Sequence, residues 1–558
     1  MVFLTSSFRL LVQLALFSTV LAADVYYTFN VVNANIAPDG FSRPAVLVNG
    51  VFPGTLVEAT NNDVLHITVN NQLTNPLMRR STAVHWHGLF QGRTASEDGP
   101  AMVTQCPIAP GHSYTYDIPL NGQAGTHWYH SHLSSQYVDG LRGVIVVKDP
   151  NDPHLSLYDE DNANTVVTLG DWYHLPAPGI QATYLAGNHE PVPDSGTING
   201  IGRYVGGPAV TRARVNVVQG KKYRLRIVNI SAYGSFEFSI ENHSFTIIEV
   251  DGINHVPKTV GGFEIFAGQR YSVVLNANQP IRNYWIRAPM DLQHSSDNDN
   301  LDEENVYAVL HYDGAPNAEP TTRKDRSPSN VLQEHTLVPL ENPGPPGGSA
   351  PADRIIDLRY SRDTSGGTQW KFNGIQYHSP STPTLLQILG GASNPGDFTT
   401  SEHTLVLNHN EVVEIHLHGS ANGHVHPFHL HGHAFDIIQG ESGPANYVNP
   451  PRRDVIGIKD GTGIIRFRAD NPGPWFLHCH IGMLLIHPLC THSFSLNAFH
   501  CSLLPHSARE LDWHLEAGLA VVFAEAPAEQ RSGPQSQIIK QEWLDLCPIY
   551  NALSPDLQ

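Results

Sequence analysis

At 558 residues the chain exceeds what one hydrophobic core ordinarily organises, and length alone points to roughly two to four domains. A formal net charge of -19 argues against a nucleic-acid partner, and 41% hydrophobic with only 15% charged residues describes a globular, low-charge, exported protein. The outlier is histidine, at 32 residues, and imidazole is the commonest metal ligand.

Residues 1–22 carry Arg9, an apolar run (LLVQLALF) and small residues at VLAA, the pattern of a secretory signal cut near Ala22 or Ala23. The apolar run is short for a membrane anchor, and no later stretch approaches spanning length. The expectation is a secreted, extracellular protein without a membrane partner. From Asp24 onward the chain reads as short β-rich runs broken by Gly, Pro and Asn, among them AVLVNGVFPG, VLHITVNNQL, TVVTLGDW and YRLRIVNI. Alternation with period two and frequent turn signals predicts β-sandwiches rather than helical layers. The runs fall into three blocks, 23–150, 151–318 and 319–558, divided at NDP (Asn151–Pro153) and at GAPNAEP (Gly314–Pro320). NPGPPGGSAPAD (Asn342–Asp353) reads as a surface loop within the third block. The best helical candidate is DWHLEAG, with Asp512 placed to cap it. Asn229 (NIS) and Asn242 (NHS) are possible glycan acceptors in an exported chain.

The histidines cluster unevenly. The first block holds HWHG (His85, His87) and HWYHSH (His127, His130, His132), and the second has no comparable cluster. The third holds HPFHLHGH (His426, His429, His431, His433) and then WFLHCHI (His478, Cys479, His480). On an extended strand successive side chains point to opposite faces, so His478 and His480 look one way and Cys479 the other. One short strand can thereby serve two metal sites back to back. A thiolate with two imidazoles is the trigonal set that suits a blue-copper electron-transfer ion. Ligands confined to the first and last blocks imply a site at a domain interface.

HWHG, HSH, HPFHLHG and HCH, in this order, resemble the four copper-binding segments of multicopper oxidases. The flanks DGFSRPAVLVNG, YHSHLSSQYVDGLRG, DNPGPWFLHCHI and WHLEAGLAVVFAE resemble fungal laccases more specifically. The likeness runs over nearly the whole mature chain. It implies an all-β fold of three cupredoxin-like Greek-key β-sandwich domains and four copper ions, one type 1, one type 2 and two type 3. It also implies one-electron oxidation of phenols or aromatic amines coupled to four-electron reduction of O2 to water, by a monomer whose partners are O2 and small aromatic reductants. By the same resemblance His85 and His429 would hold the type 2 copper. His87, His130 and His480 would hold one type 3 copper, and His132, His431 and His478 the other. Cys479, His426 and His514 would hold type 1 copper, with Leu519 at an axial position where it cannot coordinate, which favours the cuprous form. Asp98 matches a family acid that hydrogen-bonds the water channel and relays protons; the alternative is a turn aspartate. Cys106 and Cys547, in TQCP and DLCP, match the family's disulfide. The IHLH pair (His416, His418) mimics the motif where the family has no ligands and reads as structural or surface. So do His127, His424 and His433, the last with a possible orienting role toward its neighbours.

The chain departs from the family in three places. Val138 and Ala232 stand where laccases often carry a second disulfide, so both partners are absent together. Tyr233 stands where many laccases place a carboxylate that accepts a phenol proton, and a neutral tyrosine is a poor base in acid. Most consequential, the family runs HCHI straight into DWHLEAG, whereas here Gly482–Leu511 intervenes, an apolar segment carrying His487, His492, Cys490 and Cys501. Read as a novel metal loop its spacing matches no zinc pattern, and the favoured origin is a short intron translated in frame, since Gly-Met can be encoded by bases containing a splice-donor GT. The rivals to a laccase are a metal-ion oxidase of the ferroxidase kind and a copper-binding isoform inactivated by the insertion. The insertion is expected to displace His514 and Leu519 unless both of its ends return to their ordinary positions.

Overall fold

In VLHITVNN, every second side chain is apolar or small enough to bury, and the strand Val64–Asn71 buries Leu65, Ile67, Val69 and Asn71 while His66 and Thr68 face outward. It is central in a four-stranded sheet with Arg43–Val48, Asp24–Ile36 and Ser113–Pro119. A second four-stranded sheet, Val57–Thr60, Arg142–Lys148, Gly125–Ser131 and Val84–His87, closes the sandwich over a core that includes Phe29, Trp86 and Tyr129. The computed structural model describes residues 22–186, 190–292, 295–322, 328–419, 425–441, 443–481, 517–554 and 556–557.

The same construction repeats twice. Seven-stranded and six-stranded sheets enclose the second core, between Val166–Trp172 and Tyr307–Tyr312. In the third, a six-stranded sheet built on Arg354–Asp363, Val412–His418 and Thr462–Arg468 faces a five-stranded sheet in the order Thr404–Leu407, Ala520–Glu525, Pro474–Cys479, His426–Leu430, Val455–Ile458. Strand neighbours that are not consecutive in sequence mark crossovers between the sheets. The strand Pro474–Cys479 is buried on both faces, which is why PWFLHC lacks the polar alternation of Val64–Asn71.

Two features concern the chain's helices. The helix around Asp512 lies outside the described residues, and the long C-terminal helix is Gln541–Asn551. Pro548 inside it reads in sequence as a helix breaker, which hid it. This helix packs Trp543, Leu546 and Tyr550 into the first sandwich, Trp543 Nε1 donates to the Thr104 carbonyl (3.1 Å), and Cys547 is disulfide-bonded to Cys106.

The segment 482–511 and His514 also lie outside the described residues, but the flanks of the insertion are clear. The Cys479 amide donates to the Leu519 carbonyl at 3.3 Å, and Pro474–His478 pairs antiparallel with Ala520–Ala524. Trp370 and Tyr377 amides hold the carbonyls of Ala517 and Gly518 at 2.6 and 3.0 Å. The expected displacement of Leu519 is therefore corrected: the downstream chain re-enters the sheet in register, and Leu519 is fully buried beside the Cys479 backbone.

Candidate metal centre

Four strands converge where the first and third sandwiches meet. Val84–His87 pairs with Gly125–Ser131 so that His85 opposes His130, and His426–Leu430 pairs with Pro474–Cys479 so that His429 opposes His478. Eight imidazoles, His85, His87, His130, His132, His429, His431, His478 and His480, gather there, and all are buried. The ligand-capable atoms of His85, His87 and His130 lie within 4.8 Å of one another, as do those of His85, His429 and His431 and those of His132, His431 and His478. The His480 ring centre lies 5.2 Å from both His87 and His130.

One nitrogen on most rings is tied down. Nδ1 of His85 faces the Asp98 carbonyl (2.8 Å), His429 the Asp454 carbonyl (2.9 Å), His130 the Ser131 carbonyl (2.9 Å) and His478 the Cys479 carbonyl (3.0 Å). A carbonyl only accepts, so each of these rings carries its proton on Nδ1 and turns its Nε2 lone pair inward, that of His478 toward Nε2 of His431 at 3.1 Å. Nε2 of His85, His130 and His429, Nδ1 of His87 and both nitrogens of His480 have no hydrogen-bond partner among the described residues. At about 1–3 kcal/mol for each unsatisfied buried group, five such rings in one cavity rival the net stability of an ordinary domain. Bound metal removes that cost, and the donor set fits it. Burial also holds His87, His130, His132, His429, His431 and His480 well below the usual imidazole range and takes His478 down to about 4, so the rings are neutral, as ligation requires.

Cys479 points the other way. Its Sγ lies 3.5 Å from Nδ1 of His426, both are buried, and the rings of Tyr360 and Trp370 stand 4.7 and 4.9 Å from that imidazole. Burial pushes the Cys479 thiol up, so a thiolate forms there only with a cation to hold it. His514 lies outside the described residues.

Asp98 does more than turn the chain. Its Oδ2 takes Nδ1 of His431 at 2.9 Å while its Oδ1 lies 3.2 Å from Nδ1 of His85. Gly99, at φ +102°, makes this possible: a side chain there would collide with the Val84 carbonyl. Burial raises the Asp98 carboxyl above its ordinary range. Sequence reasoning missed Asp454, which sits 3.3 Å from Nε2 of His87 and is clamped by Arg270 at 2.6 and 2.7 Å. Its only sequence signal is a charged RRD triplet between two apolar strands. His127 lies apart, its Nε2 facing the Ala124 carbonyl at 3.3 Å. His433 is taken by Glu525 at 2.9 Å, and His424 lies outside the described residues. Val138, Ala232 and Tyr233 are all buried in the core that also contains Cys479, so apolar packing fills the place of the second disulfide.

Models of the multicopper oxidase family match residues 30–152, 163–315 and 377–487. The chain belongs to the multicopper oxidases. It is 59% identical to Laccase-4 of Thanatephorus cucumeris over 85% of this chain and 90% of that one, and 47% identical to Laccase-2 of Agaricus bisporus over 98% of each. Among solved structures it is similar to Fet3p, a multicopper oxidase that functions in iron import (29% identity, TM-score 0.80, 96% and 98% coverage). It is equally similar to the laccase from Botrytis aclada (31% identity, TM-score 0.79, 96% and 93% coverage). Within the family it is a laccase-like oxidase, an oxidoreductase with one type 1, one type 2 and two type 3 coppers.

Proposed function

We propose that the buried histidine cavity is the trinuclear oxygen-reducing centre and that Cys479 marks the entry point for electrons from small aromatic reductants, phenols or aromatic amines. His85 and His429 would hold the type 2 copper; His87, His130 and His480 one type 3 copper; and His132, His431 and His478 the other. Cys479 and His426, with His514, would hold type 1 copper, and Leu519 offers it no thioether. The observation that carries the reading is the set of inward lone pairs without partners in a cavity lined by neutral imidazoles. Bound copper would supply one-electron acceptance from the reductant and four-electron reduction of O2, which with four protons gives two waters.

The chain's own residues do the rest. Cys479 adjoins His478 and His480 through one peptide unit each, so the thiolate and the cavity share a path of a few covalent bonds. Asp98 and Asp454 fix ring orientation, and Asp98 is the nearest buried carboxyl to hold a proton for the oxygen side. Tyr360 and Trp370 give the His426 side an aromatic lining, which favours aromatic reductants over a metal-ion substrate. The three blocks 23–150, 151–318 and 319–558 act as cupredoxin-like domains, the leader 1–22 directs export, and the enzyme works as an extracellular monomer with neither nucleic acid nor membrane as partner. No helix among the described residues is long and apolar enough to cross a membrane. Copper analysis with a visible spectrum and oxygen uptake on a phenol tests the proposal. Four coppers, a blue thiolate band and uptake abolished in Cys479→Ser are expected; oxygen uptake that survives Cys479→Ser sinks it.

A further inference from the structure

The strand Val412–His418 carries Glu414, His416 and His418 on its outer face, while Ile415 and Leu417 are fully buried beneath. Its parallel neighbour Arg354–Asp363 places Asp357 opposite His416 in register. The ligand-capable atoms of Asp357, His416 and His418 lie within 4.8 Å of one another. Asp357 Oδ1 is 2.8 Å from Nε2 of His418 and 3.7 Å from Nδ1 of His416. Each ring's other nitrogen is already occupied: Nε2 of His416 faces Glu414 Oε1 at 2.9 Å, and Nδ1 of His418 faces Thr462 Oγ1 at 3.1 Å. Glu414 is held in turn by Nε of Arg466 at 2.9 Å.

We infer that Asp357, His416 and His418 form a surface site for a divalent transition-metal ion, separate from the copper centres. Two imidazoles and a carboxylate are a set that zinc, nickel and cupric ions prefer and that calcium and magnesium do not. Ring nitrogens anchored by a carboxylate or hydroxyl are the usual support of metal-binding histidines, fixing tautomer and ring orientation. Here both rings have that support, and both remaining nitrogens face one carboxylate. Exposure suits an exchangeable ion. His416 and His418 are about a quarter and a sixth exposed and Asp357 over half, so water completes the coordination. Arg359 stands opposite His418 in register, and the hydrogen bond from His418 leads among the influences that keep the Asp357 carboxyl low, ahead of the Arg359 charge. The ion would tie two neighbouring strands of the third sandwich together from outside.

The test uses the copper-loaded enzyme and zinc, which is redox-silent. Equilibrium dialysis with metal analysis should find one zinc per chain beyond the copper content, insensitive to excess calcium. His418→Ala and Asp357→Asn should lose that equivalent while keeping copper content and oxygen uptake, and Thr462→Ala should bind it about tenfold more weakly. Zinc should also shield His416 and His418 of the unaltered chain from carbethoxylation, mapped by peptide mass, a reading that requires no variant to fold. No uptake by the unaltered chain, uptake that persists in His418→Ala, or unshielded modification of both histidines would each overturn the inference.

Discussion

Arg270 is fully buried, and its guanidinium, which also donates to the Thr126 and Gly268 carbonyls, is paired with the Asp454 carboxylate, which also touches His87. Removing one partner of such a pair leaves an uncompensated charge in the interior, which typically costs about 3–5 kcal/mol. Asp251, 3.7 Å from Arg270, offsets part of that. Asp454→Ala is therefore expected to lower stability by about 3 kcal/mol, read from urea unfolding, with a loss of copper as His87 slackens. Unchanged stability with full copper would show that Asp251 suffices. Tyr233 gives a second prediction at this scale. Its phenol is neutral and buried, so it accepts no proton in acid. Tyr233→Asp should raise phenol turnover relative to a non-phenolic one-electron dye at acidic pH, at some expense of stability because a carboxylate is being buried. An unchanged phenol-to-dye ratio means that proton removal is not limiting or that another group performs it.

Among the elements, Pro474–Cys479 and Ala520–Glu525 decide how the inserted segment is tolerated. Their pairing from His478–Ala520 to Pro474–Ala524 keeps Cys479 and Leu519 in place on either side of the insertion. Between Ile481 and Ala517 the ordinary family connection would need only Asp512–Glu516. Deleting Gly482–Leu511 is expected to strengthen the blue thiolate band and raise oxygen uptake, because His514 then reaches Cys479 over a short, constrained link. An intact protein of verified mass with as intense a band as the deletion variant would show that the segment is harmless. The strands were legible where period-two alternation survives, as in Val64–Asn71, and the insertion stood out because Gly482–Leu511 breaks that alternation and resembles nothing else in the chain. His-x-His pairs were legible because they ride on that alternation. The Arg270–Asp454 clamp was not, since two charges 184 residues apart leave no periodic trace. Nor was the final helix, which Pro548 disguises, or the carboxylate partners of His416 and His418, one of which comes from another strand.

Considered whole, the molecule keeps a cavity of neutral imidazoles between its first and third sandwiches, and acid should therefore undermine the copper-free form. The unfolded chain takes up protons on histidine as pH falls through about 6.5, while the folded cavity refuses them until far lower, near 4 for His478. Stability is thus greatest above pH 6.5 and declines between there and pH 4, by about 3 kcal/mol for His478 alone. Denaturant unfolding of copper-free protein across that range should show the decline. The loaded form should lag behind it, since ligands bound to copper favour the folded state. Equal slopes for both forms would mean that other groups dominate.

The Cys106–Cys547 bond and the helix Gln541–Asn551 seated in the first sandwich have a consequence for biosynthesis. A chain emerging from the ribosome exposes His85, His87, His130 and His132 long before their counterparts at 429–480 exist. Trp543, Leu546 and Tyr550, which share the first sandwich's core with Phe29 and Trp86, come later still. The first sandwich must therefore wait, incompletely covered, for a helix whose Cys547 follows Cys106 by 441 residues, and those four histidines cannot share an ion with their counterparts until 429–480 has been made.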